Sequence, residues 1–399
     1  MHAKTNAIPS SKRGRDEPVV AREAHRPSGV GAAVFSHSSA ATAVVYCEGN
    51  FGAPDGKTAN GLVRHSERYD ILSVIDSEQA GLDAGTVLDG VSNAIPITAS
   101  LDEAVAVAKR TPEFFIFGVA PLTGMLSQQE RRLMLEAMSR GMSLVNGLHE
   151  FLNDDPEFAA AAALYGVAIL DVRRPRAKKE LRMFSGRIST VTCPRIAVLG
   201  TDGAIGKRTT ATIVVEALCA RGIKAVMIGT GQTGIIQGAR YGVALDAIPC
   251  QFCSGELEAT VVEAFDNEHP DVIVIEGQGA LSHPAYLTSA FILRGSQPSG
   301  VILQHAPARR VLGDFDQLPM PTASSEINLI ETFAQTKVIG LTINHEGMTD
   351  ADVTAAMLDY ERDLGLPVTD ALTRPPDLLV GMVLRAFPQL EGKLTIGTA

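Results

Sequence analysis

Val198-Leu199-Gly200-Thr201-Asp202-Gly203-Ala204-Ile205-Gly206-Lys207-Arg208-Thr209-Thr210 is the stretch on which the reading of this chain turns. Upstream, Arg195-Ile196-Ala197-Val198-Leu199 is a short apolar run with β-branched residues, the pattern of a buried parallel strand. Downstream, Ala211 to Leu218 keeps apolar residues at helical spacing and stops at Gly222. Strand, glycine loop and helix start are the parts of a phosphate-binding loop. Its backbone N–H groups turn inward, the helix start adds partial positive charge, and Lys207 adds a full one. The spacing departs from the common pattern. Gly200 and Gly206 enclose five residues where four are usual, and Arg208 stands where a Ser or Thr hydroxyl would hold Mg²⁺. The candidate anion cradle is therefore Asp202, Gly203, Ala204, Ile205, Gly206, Lys207, Arg208, Thr209 and Thr210.

The 399 residues exceed what one core usually supports, which predicts two domains. With 45% hydrophobic and 20% charged residues the composition is globular, and no apolar run is long enough to span a membrane. A net charge of −10 argues against nucleic acid as a partner. Five irregularly spaced cysteines point to a reducing cytoplasm, with Cys250 and Cys253 read as buried thiols because no second ligand pair accompanies them. The expected partner is a small-molecule substrate, with no nucleic acid and no membrane, in a homo-oligomer.

Residues 1–40 lack periodicity and read as a disordered tail. From Thr42 an α/β rhythm begins, and residues 41–186 are expected to form a parallel-sheet, Rossmann-like domain. Asp76 ends a strand where such folds place a ribose carboxylate, or else caps a turn. Gly56-Lys57-Thr58 imitates the end of a phosphate loop and offers a second anion contact. His149 follows the strand Ser143-Leu144-Val145, as a helix cap or as a catalytic group. Arg173, Arg174, Arg176, Lys178, Lys179, Arg182 and Arg187 face only Glu180 in sign. They read as a solvated linker, or as a basic arm over a polyanion at the domain interface. Residues 187–399 form the second domain. Its most informative companion to the loop is Asp271-Val272-Ile273-Val274-Ile275-Glu276-Gly277-Gln278-Gly279, a central strand that ends on an acid. Before it, Gly229-Thr230-Gly231-Gln232-Thr233-Gly234 suggests close backbone approach to a ligand.

Gly200-Thr201-Asp202 and Gly206-Lys207, with Glu276-Gly277 and Gly279, resemble the signature of dethiobiotin synthetases and other deviant phosphate-loop proteins. Gly56-Lys57-Thr58-Ala59, Gly147-Leu148-His149 and the Gly229–Gly234 segment extend a closer resemblance over almost the whole chain after the tail. It is similar to the D-glutamate N-acetyltransferase (DgcN-like) family, formerly a domain of unknown function. That resemblance implies an N-terminal Rossmann-like domain, a C-terminal P-loop domain, and transfer of acetyl from acetyl-CoA to the amino group of D-glutamate. On this reading Arg208 suits a metal-free cradle for the coenzyme phosphates, since a guanidinium can hold two phosphate oxygens. Glu276 is the first choice for the base that deprotonates the amine, and His283 the second. Amides of the Gly229–Gly234 loop would hold the oxyanion. Gly231, Gln232, Thr233 and Gln278 would line the substrate, with Arg240 as its carboxylate clamp. The alternative is a Mg-ATP-dependent carboxylate ligase or kinase, with Asp202 and Glu276 on the metal. A third reading is a non-catalytic nucleotide-binding module.

Overall fold

The computed structural model describes residues 40–121 and 124–394; the expected tail, apart from residue 40, lies outside them. The first domain is a parallel sheet of β1 (Ala41–Tyr46), β2 (Tyr69–Ile75), β3 (Ile97–Thr98), β4 (Phe114–Phe117), β5 (Ser143–Asn146) and β6 (Ile169–Asp171), in the order β3-β2-β1-β4-β5-β6. The helices α1 (Lys57–Arg64), α2 (Ala84–Asp89), α3 (Leu101–Ala108), α4 (Gln128–Ser139) and α5 (Pro156–Tyr165) connect them. This is the doubly wound Rossmann order, with its switch point between β1 and β4. Phe114, Phe115, Ile116 and Phe117 are all buried, as a central strand covered on both faces requires. The start of α4 is a capping box in which Ser127 and Glu130 satisfy each other's backbone N–H.

The second sheet runs β15-β14-β11-β7-β10-β8-β9, again all parallel. Its elements are β7 (Arg195–Gly200), α6 (Lys207–Cys219), β8 (Ala225–Gly229), α7 (Gln232–Gln237), β9 (Tyr241–Gly242), α8 (Cys250–Glu268), β10 (Val272–Glu276), α9 (Thr288–Ser296), β11 (Gly300–His305), the antiparallel hairpin β12 (Val311–Leu312) and β13 (Phe315–Pro319), α10 (Ala323–Phe333), β14 (Val338–Ile343), α11 (Asp350–Leu364), β15 (Val368–Asp370) and α12 (Asp377–Ala386). Strand alternation builds a core on each face. Ile196, Val198, Val272 and Val274 pack towards α6 and α12, while Ala197, Leu199, Ile273 and Ile275 pack towards α8 and α9.

The segment between the domains is strapped to α8. Glu258, buried, accepts from the N–H groups of Ser185 (2.6 Å) and Ile188 (3.0 Å). Glu256, also buried, accepts from Arg182 N (2.6 Å) and Nη2 (2.8 Å). The strap passes so close that a side chain at Gly255 would run into the backbone of Arg182, Met183 and Phe184. Most of the basic run is thereby spent on protein: Arg174 pairs with Asp154, Arg176 and Arg182 with Glu256, and Arg187 with Asp266. Of the paired arginines only Arg173 turns to the domain interface.

The carboxyl edges of the two sheets meet across that interface. Thr58 Oγ1 and Thr233 Oγ1 are 2.9 Å apart, Gln237 Nε2 donates to Gly61 O (2.6 Å) and His65 O (2.8 Å), and Ile236 of α7 enters the first domain's core. Arg173 donates to Gly147 O, to Gln232 Oε1 (2.8 Å) and to Asp246 Oδ2 (2.8 Å), clasping both halves.

Candidate active site

The loop after β7 folds as a cradle. Ala204 (φ +50°) and Gly206 (φ +97°) both take left-handed backbone, which reverses the chain and delivers Lys207 to the first turn of α6. Lys207 is buried and its Nζ donates back to Asp202 O. Burial pushes its ammonium down to about 7 against the pull of Asp202, with Lys57 and Arg309 pushing the same way. Asp202 is locked by protein donors: Oδ2 accepts from Arg309 Nη1 (2.8 Å) and Gly313 N (2.9 Å), and Oδ1 from Gly203 N (2.7 Å). Gly313 belongs to the turn of the β12–β13 hairpin, which therefore closes over the loop. Ile205 is buried, its carbonyl accepting from Asn344 Nδ2 (3.0 Å). Thr210 is turned inward, its hydroxyl donating to Gln304 Oε1 (2.6 Å). Thr209 lines a cavity of about 30 Å³ with Gly206, Asn344 and His345. A larger cavity of about 420 Å³ lies between α11 and α12, away from both carboxyl edges.

His283 is buried against this cradle. Its ring stacks on Tyr286 (4.5 Å between centroids) and leans on Phe315 of the hairpin (5.8 Å). Ala285 N donates to Nδ1 at 3.2 Å, which leaves the proton of the neutral ring on Nε2. Nε2 has no hydrogen-bond partner among the described residues, and Asp202 Oδ1 is 4.0 Å away. Burial lowers the ring's pKa. His283 is thus a neutral donor facing the cradle, where the sequence suggested a base.

Further expectations change. Glu276 ends β10 as expected and burial raises its pKa, but its Oε2 accepts from Thr230 N (2.9 Å) and its carboxylate also takes the N–H of Gly231. Two of the amides expected to hold an oxyanion, those of Thr230 and Gly231, are therefore already paired, and Glu276 anchors the loop they come from. A Cβ at Gly234 would stand 2.5 Å from Glu276 Oε2, so the acid fills the space that a side chain would need. With Asp202 held by Arg309 and Glu276 by the loop, both carboxylates assigned to Mg²⁺ in the alternative reading are taken by protein donors. Arg208 reaches away from the cradle. Its guanidinium lies on α1, where a Cβ at Gly61 would be 2.5 Å from Nη2, because the second residue of α6 faces the other domain rather than the loop. Arg240 pairs with Glu268, which also holds Lys224 just before β8. That turns it towards the amino-terminal end of the sheet, opposite the cradle, so it is not a clamp at this site.

Gln232 and Thr233 stand at the domain seam through Arg173 and Thr58, and Gln278 Nε2 donates to Thr230 Oγ1 (2.8 Å) beside Gly231. Asp76 accepts from the N–H groups of Gly49 (3.2 Å), Phe51 (3.0 Å) and Glu78 (3.1 Å), and so caps the loop after β1. Cys253 is buried, whereas Cys250 is exposed. The sequence reading missed Arg309 and the hairpin, whose only signal is the Gly313-Asp314 turn between two short runs. Among the described residues no group of three His, Cys, Asp or Glu side chains is placed to hold a metal, and no helix is long and apolar enough to cross a membrane.

Comparison with known proteins places these features in company. Residues 182–380 match a family model described as Domain of unknown function (DUF1611_C) P-loop domain, and residues 77–175 match Domain of unknown function (DUF1611_N) Rossmann-like domain. A protein of Tritonibacter scottomollicae named D-glutamate N-acetyltransferase is 32% identical over 278 residues, which cover 68% of this chain and 80% of that one. A protein of the same name from Pseudoalteromonas is 28% identical over 287 residues, covering 70% and 83%. The crystal structure of a DUF1611 family protein from Anabaena variabilis superposes with a TM-score of 0.79 at 31% identity, over 86% of this chain and 99% of that chain.

Proposed function

This chain belongs to the DUF1611 family, with its Rossmann-like and P-loop domains, and is similar to proteins named D-glutamate N-acetyltransferase, and from that premise we propose that it transfers acetyl from acetyl-CoA to the amino group of D-glutamate. The observation that carries the reading to this chain is the pairing of a glycine cradle ending in Lys207 with the buried, unpartnered Nε2–H of His283. A lysine, several loop amides and an imidazole N–H form a donor set suited to anionic oxygen. The cradle would hold phosphate oxygens of the coenzyme, and the thioester supplies an activated acetyl group when bound. His283 would donate from Nε2 to oxygen on which negative charge grows during transfer; a donor aimed at that charge lowers the barrier most if it is already fixed in place. Stacking on Tyr286 and the Ala285 N–H fix it. Arg309 and Gly313 hold Asp202 and so keep the loop in shape.

The test is a set of melting curves with acetyl-CoA, CoA, Mg-ATP and NAD, together with an assay of thiol release on D-glutamate. At a hundred times its Kd a ligand stabilises by about 2.7 kcal/mol. Acetyl-CoA and CoA are expected to give that shift. Lys207→Ala should weaken it by roughly 1.5–3 kcal/mol of binding energy, and activity should survive EDTA. Stabilisation by Mg-ATP alone, with full dependence on metal, would overturn the proposal in favour of a ligase or kinase.

A further inference from the structure

The cradle occupies one wall of the gap between the domains, and the facing wall has side chains that the cradle does not use. Lys57, the first residue of α1, is exposed, so it is reachable from solvent. Protein crowded around it nevertheless lowers its pKa, burial first and Arg173 next, while Asp314 and Asp246 raise it again. Arg173 is neutralised by Asp246 at 2.8 Å, but Lys57 has no ion pair among the described residues. An ammonium in a crowded gap with carboxylates near it but none in ion-pair contact still has room to take an anion. The start of α1 is fixed against α7 by the Thr58–Thr233 contact, so Lys57 is presented to the same gap as the Gln232 and Arg173 clasp.

Close by, His149 follows β5 with its Nε2 3.9 Å from Asp246 Oδ2. Its side chain is 45% exposed, and burial followed by Arg173 lowers its pKa, so the ring is neutral near pH 7. Across the gap, Asp314 accepts from Tyr286 OH at 2.7 Å, and that same Tyr286 covers His283. A lone lysine flanked by two aspartates and a neutral imidazole is unlike a polyphosphate site, where the aspartates would repel the ligand. It complements a molecule that carries carboxylate and ammonium together.

We infer that the Rossmann-like domain supplies the acyl-acceptor site, in which Lys57 holds a carboxylate of an α-amino dicarboxylic acid and His149, beside Asp246, takes the proton that its ammonium group gives up. This rests on the acetyl-transfer reading above and assigns the clamp that Arg240 does not provide. The ammonium loses one proton to His149, and the freed nitrogen lone pair forms the N–C bond to the acetyl carbonyl carbon. The C–S bond breaks and the sulfur leaves with its electron pair. A second proton from the nitrogen neutralises that sulfur, so ammonium and thioester become amide, thiol and one proton.

The test uses the full chain with Lys57→Met, Lys57→Arg and His149→Gln, each checked for unchanged melting. Steady-state kinetics vary D-glutamate and acetyl-CoA separately, and calorimetry measures binding of glutarate, a dicarboxylate without the amine. Lys57→Met is expected to raise KM for D-glutamate by about tenfold or more and to abolish glutarate binding, with KM for acetyl-CoA unchanged and Lys57→Arg restoring most of the loss. His149→Gln should lower kcat by about 100-fold or more while glutarate still binds. A Lys57→Met enzyme with weakened acetyl-CoA and normal glutarate would assign Lys57 to the coenzyme phosphates and overturn the inference. A His149→Gln enzyme within a few-fold of wild-type kcat would overturn the role of His149. If the wild type binds glutarate through Lys57 but acetylates no amine, the acetyl-transfer reading fails and the carboxylate site stands.

Discussion

Lys207 carries its charge in a place where charge is costly, and its acid–base behaviour should report on the cradle. Its pKa of about 7 is well below that of a free lysine. An anion binds the protonated form, so above pH 7 the ligand must bring a proton with it. Affinity for acetyl-CoA is therefore expected to be flat at low pH and to weaken by up to about tenfold per pH unit above 7. Calorimetry at pH 8 in two buffers of different ionisation enthalpy should record up to one proton taken up. Zero uptake and a flat profile would mean that Lys207 does not face the bound anion. The sign reverses for folding of the empty protein. The unfolded chain holds the extra proton between about pH 7 and the ordinary lysine value, so stability rises with pH across that window. At this scale residue type was legible in the sequence, but direction was not. Gly206-Lys207 and Glu276 stand where their motifs promise. Nothing in the order of letters tells that Arg208 crosses to Gly61, that Arg240 turns to Glu268, or that Glu276 spends itself on the amides of Thr230 and Gly231.

Elements with clean periodicity could be read almost to the residue, as β10 shows. Helix α8 could not, although at 19 residues it is long. It is buried between the sheet and the strap, so Glu256 and Glu258 interrupt its apolar face to bind strap amides. The stripe that normally betrays a helix is missing because one side of it greets backbone, not side chains. The same contact sets a prediction. Gly255→Ala raises helix propensity by about 1 kcal/mol, yet its new methyl would meet the backbone of Arg182, Met183 and Phe184, which has no rotamer to yield. Urea unfolding is expected to show net destabilisation of at least about 1 kcal/mol. A more stable variant would show that the strap is loosely held. The β12–β13 hairpin escaped sequence reading for another reason: two residues pair with five, and its worth lies in tertiary contacts to Asp202 and His283.

Viewed as a whole molecule, the two parallel sheets were legible from strand–helix alternation, but their meeting edge to edge was not, since no local pattern encodes which rims face each other. Arg173 is the clasp of that meeting. Removing it frees Gly147 O, Gln232 and Asp246 together, two of them on the partner domain. Arg173→Met is expected to leave each sheet folded by circular dichroism but to speed proteolytic cutting between residues 174 and 181 several-fold. It should also raise KM for D-glutamate. Unaltered cutting would mean that the apolar seam around Ile236 suffices by itself. Gly61, Gly231, Gly234 and Gly277 each have another residue's atoms where a side chain would stand. Around this gap, then, most single-letter changes would push on the scaffold before they touched a ligand. A lineage drifting towards a new substrate has few open steps, and they fall on Lys57, His149, Asp246, Asp314 and Tyr286. Substrate range among descendants should track those five letters while the glycines stay silent.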